Sequence, residues 1–210
     1  MLSRAIVTAG AFIAVLMSAA SSSTYAVPTS VGPNLVTNGG FEATSVIAGS
    51  GWTPSGFFGE GIDFFIDPNV AHAHGGSRSF ASGALGSLGF ISQLIPTIPG
   101  RNYNIELWLA NISGFAEGTE IQVLWNGSVV YDQMDILGFG YNRIFIDPPA
   151  TSATTTLSIG LRDDSFFLNV DDIAVRLAAA VPEPGTLALL AFGFVALALP
   201  RRKLLTTSNM

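Results

Sequence analysis

The chain has 210 residues, a formal net charge of −6 and no cysteine. That length suits one domain plus processing segments, and no disulfide framework can hold such a domain together. Residues 27–180 keep five arginines and no lysine against fourteen acids, which leaves −9. A domain this acidic repels phosphate backbones, so nucleic acid is excluded as a natural partner.

In chain order, residues 1–26 read as a secretory signal peptide. Arg4 supplies the positive start, Ala5–Ala20 are uncharged and apolar, and Thr24-Tyr25-Ala26 ends on a small residue fit for cleavage. The alternative, an N-terminal anchor helix, has a short apolar run against it.

Residues 27–180 carry short alternating or apolar runs between turn residues, and no run of helical spacing a dozen residues long. Strands are expected at Ile62–Ile66, Ser79–Ser82 and Gly89–Ile95. In "NYNIELWLA" (Asn102–Ala110), Tyr103, Ile105, Leu107 and Leu109 share one face, with Trp108 on the other. Ile121, Val123 and Trp125 alternate into Asn126-Gly127, the two-residue hairpin turn, and Val129 and Tyr131 continue outward. Further strands are expected at Tyr141–Ile146, Thr154–Leu161 and Phe166–Arg176. Many short strands with frequent turns predict an all-β sandwich or jelly roll.

The order of "NLVTNGGFE" (34–42), "HGGSRSFAS" (74–82), "ISQLIPTIPGRNYNIELWLA" (91–110), "VLWNG" (123–127) and "FFLNVDDIAV" (166–175) resembles the galactose-binding-like β-sandwich of many carbohydrate-binding modules. In that fold the first and last strands come together, and several members bind a structural calcium there. The resemblance places Glu42 and Asp171 at such a site. Asp171 alternates in phase with Ile173 and Val175, which points its side chain into the sandwich. Without an ion, the two carboxylates would accept backbone hydrogen bonds or pair with an arginine. No other cofactor is implied.

Residues 181–210 close the chain with Pro182-Glu183-Pro184, an apolar run over Leu187–Leu199, and Arg201-Arg202-Lys203. This looks like a PEP-CTERM sorting signal, which Gram-negative producers of extracellular polysaccharide attach to exported proteins. The resemblance implies an exosortase as processing partner, acting near the Pro-Glu-Pro. At about 1.5 Å per residue, the thirteen apolar residues cover roughly 20 Å of about 30 Å of hydrocarbon. A transmembrane helix over about 185–200 therefore suits transient anchoring in the inner membrane, with the basic cluster cytoplasmic.

Aromatic side chains are the expected sugar platform, because a flat apolar ring packs on the C–H face of a pyranose. Trp108, Phe57, Phe58 and Tyr141 are the candidates, with Phe64-Phe65 and Phe139 in similar Gly-rich settings; Trp52 and Trp125 read as core. His72 and His74 supply two metal ligands at most, and "HGGS" reads as a turn before the strand at Ser79. No nucleophile elbow, phosphate loop or dinucleotide fingerprint occurs. Asp163-Asp164 are the carboxylates a glycoside hydrolase would use. The sequence therefore points to a non-catalytic protein of the cell surface or extracellular matrix that associates with exopolysaccharide. A self-associating adhesive protein and a glycan hydrolase remain as alternatives.

Overall fold

The computed structural model describes residues 30–44, 50–56, 64–179 and Phe194. Phe57, Phe58, the signal-peptide segment, Pro182, Glu183, Pro184, Arg201, Arg202 and Lys203 lie outside them. Among the described residues, no helix is long and apolar enough to cross a membrane.

Eleven strands follow in order among the described residues: β1 (Ser30–Val31), β2 (Thr53–Gly56), β3 (Phe64–Asp67), β4 (Ser79–Ser82), β5 (Gly89–Pro96), β6 (Tyr103–Asn111), β7 (Thr119–Trp125), β8 (Ser128–Met134), β9 (Phe139–Ile146), β10 (Thr154–Asp163) and β11 (Leu168–Ala178). They form two antiparallel sheets. One runs β3-β4-β11-β6-β9, with β1 added beside β11; the other runs β2-β5-β10-β7-β8. The alternation read in β5, β6, β7 and β10 buries Ile91, Ile95, Ile105, Leu107, Ile121, Val123, Leu157 and Ile159 between the sheets. At one edge of this core, Phe41 stacks on Trp52 at 5.8 Å and on Phe80 at 5.4 Å.

The predicted hairpin forms as its turn residues require. Asn126 and Gly127 have φ of 53° and 80°, and Trp125 pairs with Ser128. The strand expected to open at Phe166 begins at Leu168, because Asp163 Oδ1 accepts the N–H groups of Ser165 and Phe166 and turns that loop. Two short strands, β1 and β2, carry too few alternating residues to be read from the sequence.

One expectation about direction is corrected. Asp171 does not enter the sandwich core; it pairs with Trp108 on the outer face. Asp172, with φ of 47°, makes a bulge between Asp171 and Ala174, so two residues oppose one of β6. The bulge inverts the phase, and Ile173 and Val175 enter the core while Asp171 stays outside it.

Candidate functional site

Pleating turns one side of β3, β4, β11, β6 and β9 away from the core. Their register sets Phe65 beside Ala81, Ala81 beside Asn169, and Asn169 beside Ala110 on that outer face. Small alanines in the two middle rows leave room, and a cleft of about 360 Å³ opens there. Its apolar walls are Phe65, Phe166, Phe167 and Ile112, and its polar groups include Asp67, His72 and Asn169. Phe65 and Phe167 meet edge to face at 5.0 Å. Phe166 is 53% exposed and stacks on Phe115, 57% exposed, at 5.6 Å, which extends the aromatic surface beyond the cleft mouth.

The polar groups are tied to one another. His72 Nδ1 lies 2.7 Å from Asp67 Oδ2, and Asp67 Oδ1 accepts the N–H of Asn69 at 2.9 Å. Asn169 donates through Nδ2 to Ser79 Oγ at 2.9 Å. Its side chain is 99% buried, and its Oδ1 has no hydrogen-bond partner. A buried acceptor left unpaired costs about 1–3 kcal/mol, and this oxygen is closed off from solvent, so the cost falls on the sandwich itself.

A second cluster continues along the same face. Trp108 lies on the outer side of β6, as its phase predicts, and His74 stacks on it at 3.9 Å with 15° between the rings. One face of Trp108 is therefore taken by imidazole. Tyr141 meets His74 edge-on at 5.3 Å and donates its hydroxyl to the His72 carbonyl at 2.6 Å. Burial pushes the Tyr141 phenol far above its usual range, so it stays a donor. These two aromatics brace the loop that carries both histidines. His74 Nδ1 in turn bonds Asp172 Oδ2 at 2.7 Å. The histidines thus serve separate carboxylates, and among the described residues no three His, Cys, Asp or Glu side chains converge as a metal cluster.

Glu42 and Asp171, far apart in sequence, reach one turn. Asp171 Oδ2 accepts the N–H groups of His74 at 2.8 Å and Gly75 at 3.0 Å, while Oδ1 accepts that of Asp172 at 2.7 Å. Glu42 Oε1 accepts from the N–H of Ser77 at 2.8 Å and of Arg78 at 3.1 Å, and Oε2 accepts from Ser77 Oγ at 2.8 Å. Burial pushes the Asp171 carboxyl up, and its N–H donors hold back part of that rise. The Ser77 N–H draws the exposed Glu42 carboxyl down. A Cβ at Gly75 or Gly76 would push aside the Asp172 or Glu42 carboxylate respectively, and Gly76 has φ of +64°, a conformation that favours glycine. Hard oxygen donors around a glycine cradle suit calcium in kind. The two carboxylates supply too few of the six to eight oxygens calcium takes, and the turn itself offers them N–H and hydroxyl donors.

Asp163 and Asp164 do not face each other across one cleft; Asp164 lines a surface depression beside Glu117. Asp163 is fully buried as the cap of its turn, and Asp164 pairs with Arg162 and accepts the Gly86 N–H at 2.8 Å.

Residues 180–203 match the PEP-CTERM protein-sorting motif. The chain carries an export-sorting signal. No curated protein matches the sequence. Among solved structures, the sandwich is similar to the carbohydrate-binding module TmCBM61 in complex with β-1,4-galactotriose, at TM-score 0.51 and 15% identity over 70% of this chain and 99% of that one. It is also similar to the K2 cleaved adhesin domain of Lys-gingipain, at TM-score 0.50 and 19% identity over 64% and 95% of the two chains. A third likeness is to the enzymatically active domain of tailspike protein 4 of bacteriophage CBA120, at 0.52 and 17% over 69% of this chain but 21% of that one. At such identities the likeness shows the fold alone: a two-sheet antiparallel β-sandwich, here in a chain that carries the PEP-CTERM sorting motif.

Phe57 and Phe58 lie outside the described residues, whereas Phe65, named in the sequence, lines the cleft. Phe166 and Phe167, which also line it, read in the sequence as the start of a strand. The two Phe-Phe pairs, Phe64-Phe65 and Phe166-Phe167, were the available signal: a sheet with one buried face has no use for both members.

Proposed function

We propose that this PEP-CTERM protein is a non-catalytic extracellular protein that binds neutral exopolysaccharide in the cleft between Phe65 and Phe166. The cleft itself, with Phe65, Phe166 and Phe167 beside Asp67 and His72, carries this reading. The aromatic wall suits the C–H face of a sugar ring, and Asp67 offers an acceptor to a neighbouring sugar hydroxyl. The polar groups named in the cleft include carboxylate and no arginine, so uronate-bearing chains are disfavoured.

Affinity electrophoresis of the exported protein through gels containing neutral or uronate-bearing polysaccharide tests this. Retardation is expected on a neutral polymer and is reversed by its soluble oligosaccharides. Free migration through every polymer, the producer's own included, would remove the binding reading and leave the adhesive one.

Calcium is the separable part of the proposal, held at the turn between Glu42 and Asp171. Millimolar calcium is expected to raise the melting temperature and EGTA to reverse the rise, with Glu42→Gln abolishing the response. A melt indifferent to both would leave the two carboxylates as struts for the glycine turn.

Sorting follows from residues 180–203. A span over about 185–200 holds the precursor in the inner membrane of a Gram-negative cell until an exosortase cuts near Pro182-Glu183-Pro184. Mass spectrometry of the surface fraction is expected to find no peptide beyond about Pro184. Recovery of peptides from 201–210 in that fraction would refute processing.

A further inference from the structure

Both ends of the sandwich chain leave it at one place. Ser30 pairs with Ala178 and Val31 with Leu177, which sets β1 and the close of β11 side by side. An apolar groove of about 320 Å³ lies there, walled chiefly by Val31, Leu35, Pro96, Ile98 and Leu177. It continues past Leu94 through the shared residues Leu35 and Pro96. Val31, Leu94 and Ile98 are 43%, 69% and 54% exposed.

Charge divides between the two ends of the sandwich. The loops beside the groove (97–102, 126–127 and 147–153) hold one acid, Asp147, and one cation, Arg101. The loops at the far end (83–88, 112–118, 135–138 and 164–167) hold Glu117, Asp135 and Asp164; Arg162 of the adjoining strand pairs with Asp164, which leaves two acids outside that pair. Leu137 and Phe115 are also exposed at that far end, but among these acids, which an anionic bilayer repels.

The tether is short. Eight residues, 179–186, separate the last residue of β11 from the apolar run at Leu187. Fully extended at about 3.6 Å each they reach roughly 30 Å, and two prolines among them restrict their conformations. A tether of that length holds a weakly binding surface at high effective concentration against whatever its other end is fixed in.

We infer that in the anchored precursor the groove between Val31 and Ile98 rests on the lipid bilayer surface. This rests on the reading of 185–200 as a membrane span. Docking keeps Pro182-Glu183-Pro184 at the interface, within reach of a membrane-embedded protease. It also turns the loops bearing Phe115 and Phe166, and with them the cleft mouth, away from the membrane toward the polymer outside.

The chain has no cysteine, so single probes are clean. Full-length Ile98→Cys and Leu137→Cys are labelled with an environment-sensitive fluorophore and reconstituted in phosphatidylcholine–phosphatidylglycerol vesicles. Flotation reads the anchor, and quenching by brominated lipid reads the docking. The label at Ile98 is expected to be blue-shifted and quenched several-fold more than the label at Leu137, and Leu94→Glu in the same chain should reduce that quenching. Equal quenching at the two positions in floating protein overturns the docking and leaves the anchor standing. Protein that fails to float overturns both. A blue shift that disappears as lipid dilutes the protein assigns the groove to a second copy and overturns lipid docking.

Discussion

Phe166→Ala is expected to weaken retention on the bound polysaccharide about tenfold while leaving the melting temperature nearly unchanged. Phe166 is 53% exposed at the cleft wall, so its removal opens no core cavity. What it loses is contact with the ligand. An aromatic anchor truncated in a binding site costs on the order of 1–2 kcal/mol at a partly exposed position, which is roughly five- to thirtyfold in affinity. Its stack on Phe115 means that Phe115→Ala should show a smaller loss of the same sign, through a less well held Phe166 ring. Affinity electrophoresis measures both. Unchanged retention in Phe166→Ala would move the site elsewhere on the sandwich.

The second large effect is on stability. Asn111→Ala is expected to destabilise the sandwich by about 3 kcal/mol, read from the midpoint of urea unfolding at constant slope. Asn111 is 99% buried at the end of β6. Its Nδ2 donates to the carbonyls of Phe115 at 2.6 Å and Ile136 at 2.8 Å. Its Oδ1 accepts the N–H of Ser113 at 3.2 Å and its hydroxyl at 2.7 Å. One amide thus joins the loop after β6 to the loop before β9. Truncation leaves the Ile136 carbonyl with only the distant Thr119 hydroxyl at 3.5 Å, and an unpaired buried carbonyl carries the full desolvation cost. Asn111→Asp should be worse than Asn111→Ser, because a carboxylate cannot donate to two carbonyls. The same loop carries Ile112 and Phe115, so in this variant glycan binding should fall together with stability, whereas in Phe166→Ala it should fall alone.

These two variants separate what holds the fold from what meets the ligand, and the sequence treated the two differently. The long strands were legible because one face of each must be apolar. Tyr103, Ile105, Leu107 and Leu109 announce β6 through a period of two. The hairpin was legible because Asn-Gly tolerates positive φ at both turn residues. The cleft was less so. Phe65, Ile112 and Phe167 come from three segments far apart in the chain, and only the sheet order β3-β4-β11-β6 sets them on one face. Trp108 illustrates the same gap. Its phase correctly placed it on the outer face, but phase carries no information about a loop thirty residues earlier folding His74 onto its ring.

Asp171 marks the sharpest division. Its alternation with Ile173 and Val175 is real in the sequence, and an unbroken strand would have buried it in the core. A single residue with left-handed φ at Asp172 shifts the register and carries the carboxylate to the outer face, beneath the Gly75 turn. The sequence by itself determined the fold class, the acidic exported character of the domain and its C-terminal sorting signal, because periodicity, net charge and a short apolar run between prolines and arginines are properties of local order along the chain. Only the tertiary structure decided which face carries the cleft, which carboxylates meet, and which end gathers the termini, because those depend on strand order and on one bulge that long-range pairing makes.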